Sequence, residues 1–353
     1  MAAAATTFLP RTQFPTLTSL PRSYYLGHHA AGLSKMRGML GQINLVLECR
    51  DYRIPLTSRN PLFEEALRGK ERMVVYTKRD LGGQGGDNEI HSLLRAFHAP
   101  SPVLFSDHKS APSTRQVLQQ IKTAAAKRNS LTGSHLMVVG MPNVGKSSLL
   151  NALRATSLHK GKVAHTGAQP GVTRKIGTGV KIIDPEASGD DSGATPVYLL
   201  DTPGVFIPYV PDAEAMLKMA LCGSVKDNVI APFTIADYLL YHINLQSPDI
   251  YKAYHEPTND VTSLLTAMAA KTGRLGKGGE PDLDGTAMWF IQRWRNGHLG
   301  RFMLDDVTKE TIAVAKQTGP GDDQMSMSQM RKAGKEVLRQ RARSKRSAQA
   351  AGG

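Results

Sequence analysis

HLMVVGMPNVGKSSLLNAL (135–153) decides the fold. HLMVVG (135–140) is an apolar run of strand length, and the residues after Lys146 carry the apolar spacing of a short helix. Between them GMPNVGKSS (140–148) fits the pattern G-x-x-x-x-G-K-[ST]. Gly140 and Gly145 give the backbone the freedom to turn its N–H groups toward anionic oxygens. The helix that follows adds the positive end of its dipole. Lys146 is expected to reach the β- and γ-phosphates of a nucleotide and Ser147 to ligate Mg²⁺, with Asn143, Val144 and Ser148 completing the cradle. A strand entering and a helix leaving is the context that gives this pattern its meaning.

Working outward, VYLLD (197–201) is a second buried strand and runs into DTPG (201–204). Asp201 then lies where it can hold Mg²⁺ through water, and the Gly204 N–H where it can meet a γ-phosphate. PGVTR (170–174), between the two motifs, offers Thr173 as the switch threonine, its hydroxyl for Mg²⁺ and its N–H for the γ-phosphate. Upstream, RMVVY (72–76) leads into TKRD (77–80), similar to the base-reading motif N-K-x-D. Asp80 can accept both N1–H and the exocyclic N–H of guanine. Adenine lacks that donor pair, so Asp80 carries the base choice. Lys78 can lay its stem along the base. Thr77 stands where Asn is customary and has a shorter reach. Ser106, in FSDHK (105–109), is expected to support the base from below. The base motif precedes the phosphate loop, the reverse of the usual order. Strands of such a sheet meet in space and not in sequence, so the order predicts a circularly permuted GTPase domain.

Six apolar runs alternate with helical stretches over residues 30–206: 44–48, 72–76, 102–105, 135–140, 180–184 and 197–201. That pattern predicts a doubly wound α/β domain spanning 23–206. PEASGDDSGATP (185–196) reads as an exposed hairpin tip. After Gly204 the period changes: TIADYLLYHIN (234–244) and DGTAMWFIQRWRNG (284–297) each carry one apolar helical face, so 207–316 is expected to be all-helical. The pair Trp289/Trp294 belongs to that packing. The tail 317–353 is basic, with eight Lys/Arg against one Glu between Arg331 and Arg346, a composition suited to RNA phosphates when ordered and to a solvated end otherwise.

The 353 residues carry a formal net charge of +14, which favours polyanionic partners. Only two cysteines occur, Cys49 and Cys222, outside any metal-like spacing, which fits buried thiols in a reducing compartment. No apolar run is long enough to span a bilayer. No Asp or Glu precedes Glu48, while Arg11, Arg22, Lys35 and Arg37 do, so residues 1–22 read as a mitochondrial presequence or else an uncleaved basic arm.

These motifs, in this order, resemble the circularly permuted GTPases of ribosome assembly, in particular the mitochondrial ribosome-associated GTPase 1 type and its bacterial relatives. ECRDYRIPLTSRNP (48–61) is similar to a long family segment, E-x-R-D-A-R-I-P-L-S-S-R-N-P. The resemblance, over about residues 25–300, implies GTP and GDP as ligands and assembly of the mitochondrial large ribosomal subunit with its rRNA. It further implies hydrolysis stimulated by that particle, and a place in the matrix, peripheral on the inner membrane. It also implies a role for His28. Val205 occupies the position where Ras-like enzymes keep a water-orienting Gln, and bacterial members are thought to use a His in a P-G-H-M segment instead. YLGHHA (25–30) matches that segment, with Leu26 in place of Pro. Asn143 matches a loop Asn that accompanies K⁺ stimulation. Two other readings stay open from the residues: a GTP-sensing regulator of translation with negligible turnover, and an ATP-using P-loop enzyme, against which Asp80 argues.

Overall fold

The computed structural model describes residues 8–15, 17, 20, 21, 27–83, 87–128, 133–158, 161, 163, 164, 179–184, 195–206, 210 and 212–317. Thr173, the tip 185–194 and the basic tail beyond residue 317 lie outside them.

The nucleotide-type half contains β1 (Leu45–Asp51), β2 (Arg72–Thr77), β3 (Val103–Phe105), β4 (Ser134–Gly140), β5 (Val180–Ile183) and β6 (Val197–Asp201). They form one sheet in the order β3-β2-β1-β4-β6-β5, parallel except for β5, which runs antiparallel to β6. The six apolar runs are these six strands. Every residue of β1 is buried, as a central parallel strand covered on both faces requires. β1 lies between β2 and β4, with Asp51 opposite Thr77 and Cys49 opposite Gly140. The permuted order therefore closes without a gap: the base motif, the phosphate loop and DTPG all leave the same end of parallel strands of one sheet, β2, β4 and β6.

Helices α1 (Gly27–Met39), α2 (Pro61–Ala66), α3 (Asp87–His98), α4 (Ala111–Ala126) and α5 (Lys146–Leu158) cover the sheet. Helix α2 has Asn60 as N-cap, its side chain accepting from Leu62 N–H, and Pro61 at the first position. Helices α6 (Ala213–Leu221), α7 (Pro232–Gln246), α8 (Val261–Thr272), α9 (Leu283–Arg295) and α10 (Lys309–Gln317) follow DTPG, so the helical expectation for this stretch holds. One apolar core runs through both halves, from Leu47 and Val138 in the sheet to Leu239 and Trp294 in the helices. Cys49 and Cys222 are both buried thiols within it, and burial pushes each pKa up to about 12.

One excursion binds the halves together, and a second lies on the helices alone. After α9 the chain returns to the sheet: Leu304 N–H donates to Arg53 O at 2.8 Å, and the Asp305 carboxylate accepts from Leu56 and Thr57 N–H at 2.9 and 2.8 Å. Helix α10 reaches α3, where Lys316 donates to Ala96 O. At the other end, residues 8–15 dock on the helices. Arg11 chelates Asp237 of α7, with its Nη2 2.7 Å from Oδ1. Asn259 brackets Leu9 O and Arg11 N–H, and Phe14 packs edge-on against Tyr238. Among the described residues no helix is long and apolar enough to cross a membrane.

Candidate nucleotide site

The phosphate loop leaves β4 at Gly140, whose φ is +150° and whose missing Cβ would fall 2.4 Å from Cys49 O. Only glycine lets the loop pass the end of β1 that closely. Asn143 is left-handed (φ +58°) and Gly145 has φ +93°. This geometry turns the loop back onto α5, which begins at Lys146. Lys146 is buried, and its Nζ donates to Gly140 O at 3.2 Å and Met141 O at 2.7 Å, so the ammonium lies inside the loop. Burial lowers its pKa, and Asp201 works against that. Ser147 Oγ donates to Asp201 Oδ2 at 2.6 Å, so hydroxyl and carboxylate converge on one point. Val144 is fully buried under the loop, and Ser148 follows in the first turn of α5.

DTPG is pressed against the phosphate loop. A Cβ on Gly204 would lie 2.5 Å from Pro142 Cα. Val205 N–H donates to Gly140 O at 3.3 Å, and Asn60 donates to Val205 O at 2.9 Å. The Val205 side chain is buried in the cluster beneath α1, among Leu33, Met36 and Leu200, so it is turned to packing and not to the phosphates.

The base end is built on β2 and β3. Thr77 Oγ lies within hydrogen-bonding reach of Arg50 O at 3.0 Å and of Val144 O, so its hydroxyl braces the phosphate loop against β1. Sequence reasoning weighed Thr77 only against the base. Lys78 is left-handed (φ +56°), an unusual backbone for lysine of the kind found at functional sites. Its Nζ donates to Asn143 O at 2.6 Å and Asp51 Oδ2 at 2.9 Å. Burial drags the ammonium's pKa down, and the Asp51 carboxylate pulls it back. Asp80 Oδ2 meets Lys109 at 3.5 Å, whereas Oδ1 is buried with no hydrogen-bond partner among the described residues. Ser106 Oγ is in the same condition. A buried acceptor left unpaired costs about 1–3 kcal/mol. Two such orphans at the ends of neighbouring strands fit a ligand that brings its own donors, as guanine does.

His28 lies in the first turn of α1, and its side chain is outside the described residues. The neighbouring His29 is the histidine that reaches DTPG, a contact the sequence reading missed. It is buried, with Nδ1 3.0 Å from Gly204 O and 3.4 Å from Phe206 N. Two adjacent histidines at the start of a helical stretch were the available signal, but which one turns inward depends on the angle at which α1 lies on the sheet.

A family model described as 50S ribosome-binding GTPase matches residues 135–266. The chain is 34% identical over 314 residues to Mitochondrial GTPase 1 of Schizosaccharomyces pombe, covering 84% of this chain and 93% of the relative. It is 34% identical over 301 residues to Mitochondrial ribosome-associated GTPase 1 of Xenopus tropicalis, covering 80% and 94%. The chain belongs to this family of mitochondrial GTPases. The crystal structure of GNP-bound YlqF from T. maritima shares the fold, with a TM-score of 0.52 at 20% identity over 77% of this chain and 96% of that one. The protein is thus a GTP hydrolase of mitochondria with a permuted α/β domain, and guanine nucleotide is its ligand.

Mg²⁺ fits the donor set: the Ser147 hydroxyl and the Asp201 carboxylate are hard oxygen ligands already held together. An ion held by Ser147 and Asp201 would offset negative charge on a bound triphosphate. For base choice, Asp80→Asn should weaken GTP binding at least tenfold and raise affinity for xanthosine triphosphate, because the acceptor pair becomes one donor and one acceptor. Competition binding with the two nucleotides checks this, and unchanged GTP affinity would remove Asp80 from the base site.

Proposed function

We propose that this GTPase binds the large subunit of the mitochondrial ribosome through its helical region and promotes its assembly, with GTP hydrolysis driving release. The observation that supports this reading most directly is the anchoring of residues 204–206. The segment proposed to meet the γ-phosphate is held to the phosphate loop at Gly140 and to α1 at His29, and α6 is the next described helix in chain order. A change at the γ-phosphate can therefore re-aim the helices. The relative in Xenopus tropicalis is named ribosome-associated, and the +14 charge suits rRNA.

In this reading the site residues keep the roles the motifs suggest. Lys146 and Gly204 hold the phosphates, Ser147, Thr173 and Asp201 hold Mg²⁺, and Asp80, Lys78 and Ser106 read guanine. Asn143 serves a K⁺ ion that stimulates hydrolysis. With Val205 packed away, water activation falls to His28, ordered by the ribosomal particle, so hydrolysis by the protein alone is slow. The protein works in the matrix, peripherally on the inner membrane. Residues 1–22 supply the targeting signal. The alternative, a GTP-sensing regulator with negligible turnover, draws on the same burial of Val205.

Co-sedimentation with mitochondrial ribosomal particles tests the proposal. The protein should travel with large-subunit precursors in a non-hydrolysable GTP analogue and leave them in GDP. Removing residues 318–353 should weaken that association and flatten its salt dependence, because the lost Lys/Arg neutralise phosphates without reading sequence. Equal sedimentation in both nucleotides, or with small-subunit particles alone, would overturn it.

A further inference from the structure

Helix α6 ends in a Schellman turn: Gly223 is left-handed (φ +81°), its N–H donates to Ala220 O, and Ser224 N–H donates to Met219 O, both at 2.9 Å. The C-terminal end of a helix carries partial negative charge. Here that end points at a loop built for phosphates, an arrangement that opposes anion binding unless it is neutralised. It is met by four contacts from side chains. Arg295 donates to Ala220 O and Leu221 O, both at 2.8 Å. Arg53 reaches Cys222 O at 3.5 Å, and Asn143 donates to Gly223 O at 3.3 Å.

The last two contacts complete a ring. Asn143 O accepts from Lys78 at 2.6 Å, Lys78 donates to Asp51 at 2.9 Å, and Asp51 takes Arg53 Nη2 at 2.8 Å. Arg53, stacked 4.7 Å over Trp294 of α9, then returns to Cys222, the neighbour of Gly223. The ring passes through the phosphate loop, the base motif, the end of β1 and the helical region. Its two longest links, at 3.3 and 3.5 Å, are those that cross into the helical region. Displacement of α6 would part the ring there first.

We infer that the Cys222–Gly223 turn braces the nucleotide site, with Asn143 and Arg53 as positioning residues, so that moving the helical region away from the phosphate loop loosens bound guanine nucleotide. This connection is separate from the DTPG path. It rests on the nucleotide site alone and needs no particular partner. Because coupling is reciprocal, anything that binds the helices and pulls the turn away lowers nucleotide affinity by the factor with which nucleotide opposes that binding.

The test measures dissociation of a fluorescent GDP analogue from the full chain in Mg²⁺. A Cβ at Gly223 would fall 2.8 Å from Asn143 Nδ2, so Gly223→Ala should displace that amide and raise the dissociation rate about tenfold. In an Asn143→Ala background the same substitution should add nothing to the rate, although its backbone strain still lowers the melting temperature in both backgrounds. A merely structural effect would instead multiply the rate by the same factor in each background. Arg53→Lys keeps a cation beside Asp51 but gives up the planar fork, and should raise the rate about threefold. Rates within twofold of wild type for both Gly223→Ala and Arg53→Lys, or equal factors in the two backgrounds, would overturn the inference. Ribosomal sedimentation plays no part in this measurement, so its failure and that of the assembly reading are separable.

Discussion

Lys146→Ala is expected to lose at least a hundredfold in affinity for both GTP and GDP, or about 2.8 kcal/mol at 1.4 kcal/mol per factor of ten. The ammonium is buried inside the loop between Gly140 O and Met141 O, so its positive charge is already in place before any ligand arrives. A charged donor to a phosphate oxygen is worth roughly twice a neutral one, and no other described cation occupies the loop interior. Lys78, the nearest alternative, is committed to Asp51 and Asn143 O. The fold should survive, since the hydrogen-bond partners of the ammonium are two carbonyls of its own loop, Gly140 O and Met141 O. Fluorescent-nucleotide titration beside a thermal melt checks both halves of the expectation. A variant that melts like wild type and still binds GTP tightly would show that 140–148 is not the phosphate site. Ser147→Ala should behave differently, weakening binding mainly when Mg²⁺ is present.

That contrast depends on residues the sequence displays openly, and the reason is physical. A phosphate loop is local: glycines, a lysine and a hydroxyl within nine residues, between a strand and a helix whose periods are visible. The parallel strands were legible because buried parallel strands are continuous apolar runs, and the antiparallel edge strand β5 was legible as a short apolar run, Val180–Ile183. Helix α2 was not legible, since six residues are too few to show a helical period and its signals are the cap Asn60 and Pro61. Long-range pairings were also invisible. Asp51 and Arg53 stand in a segment notable for its resemblance to a family pattern, yet nothing in ECRDYRIP says that one would chelate the other or that Lys78 would join them. The Lys78 contact follows only from the register that sets Asp51 opposite Thr77, the residue before Lys78, whereas the Asp51–Arg53 chelate is a local pairing two residues apart. Gly223 after an apolar helical run is a readable stop signal, whereas its contact with Asn143, eighty residues away, is not. The inward turn of His29 is likewise a result of packing.

The Asp51 cluster carries the largest expected change in stability. Asp51 and Arg53 are buried to within 1% exposure, and Asp51 accepts from the Arg53 backbone N–H, from its Nε and Nη2, and from Lys78. Asp51→Ala would leave the buried Arg53 and the partly buried Lys78 without their carboxylate. Breaking a buried pair by removing one partner costs roughly 3–5 kcal/mol, because the remaining charge stays desolvated. Burial alone would raise the Asp51 pKa, but Arg53 and Lys78 outweigh it and hold the carboxyl below the ordinary range. The sign of the pH dependence follows. A carboxylate with a depressed folded pKa contributes its full stability above its unfolded value, near about 3.9, and loses it as pH falls from there toward the folded value. Asp51→Asn keeps the shape and removes the charge, so its deficit relative to wild type should be largest at neutral pH and shrink as the solution is taken below about pH 4. Urea unfolding of the two proteins across that range measures this directly. A deficit that stayed constant with pH would mean that Asp51 acts through shape and hydrogen bonding alone, and that the charge of Arg53 and Lys78 is balanced from elsewhere.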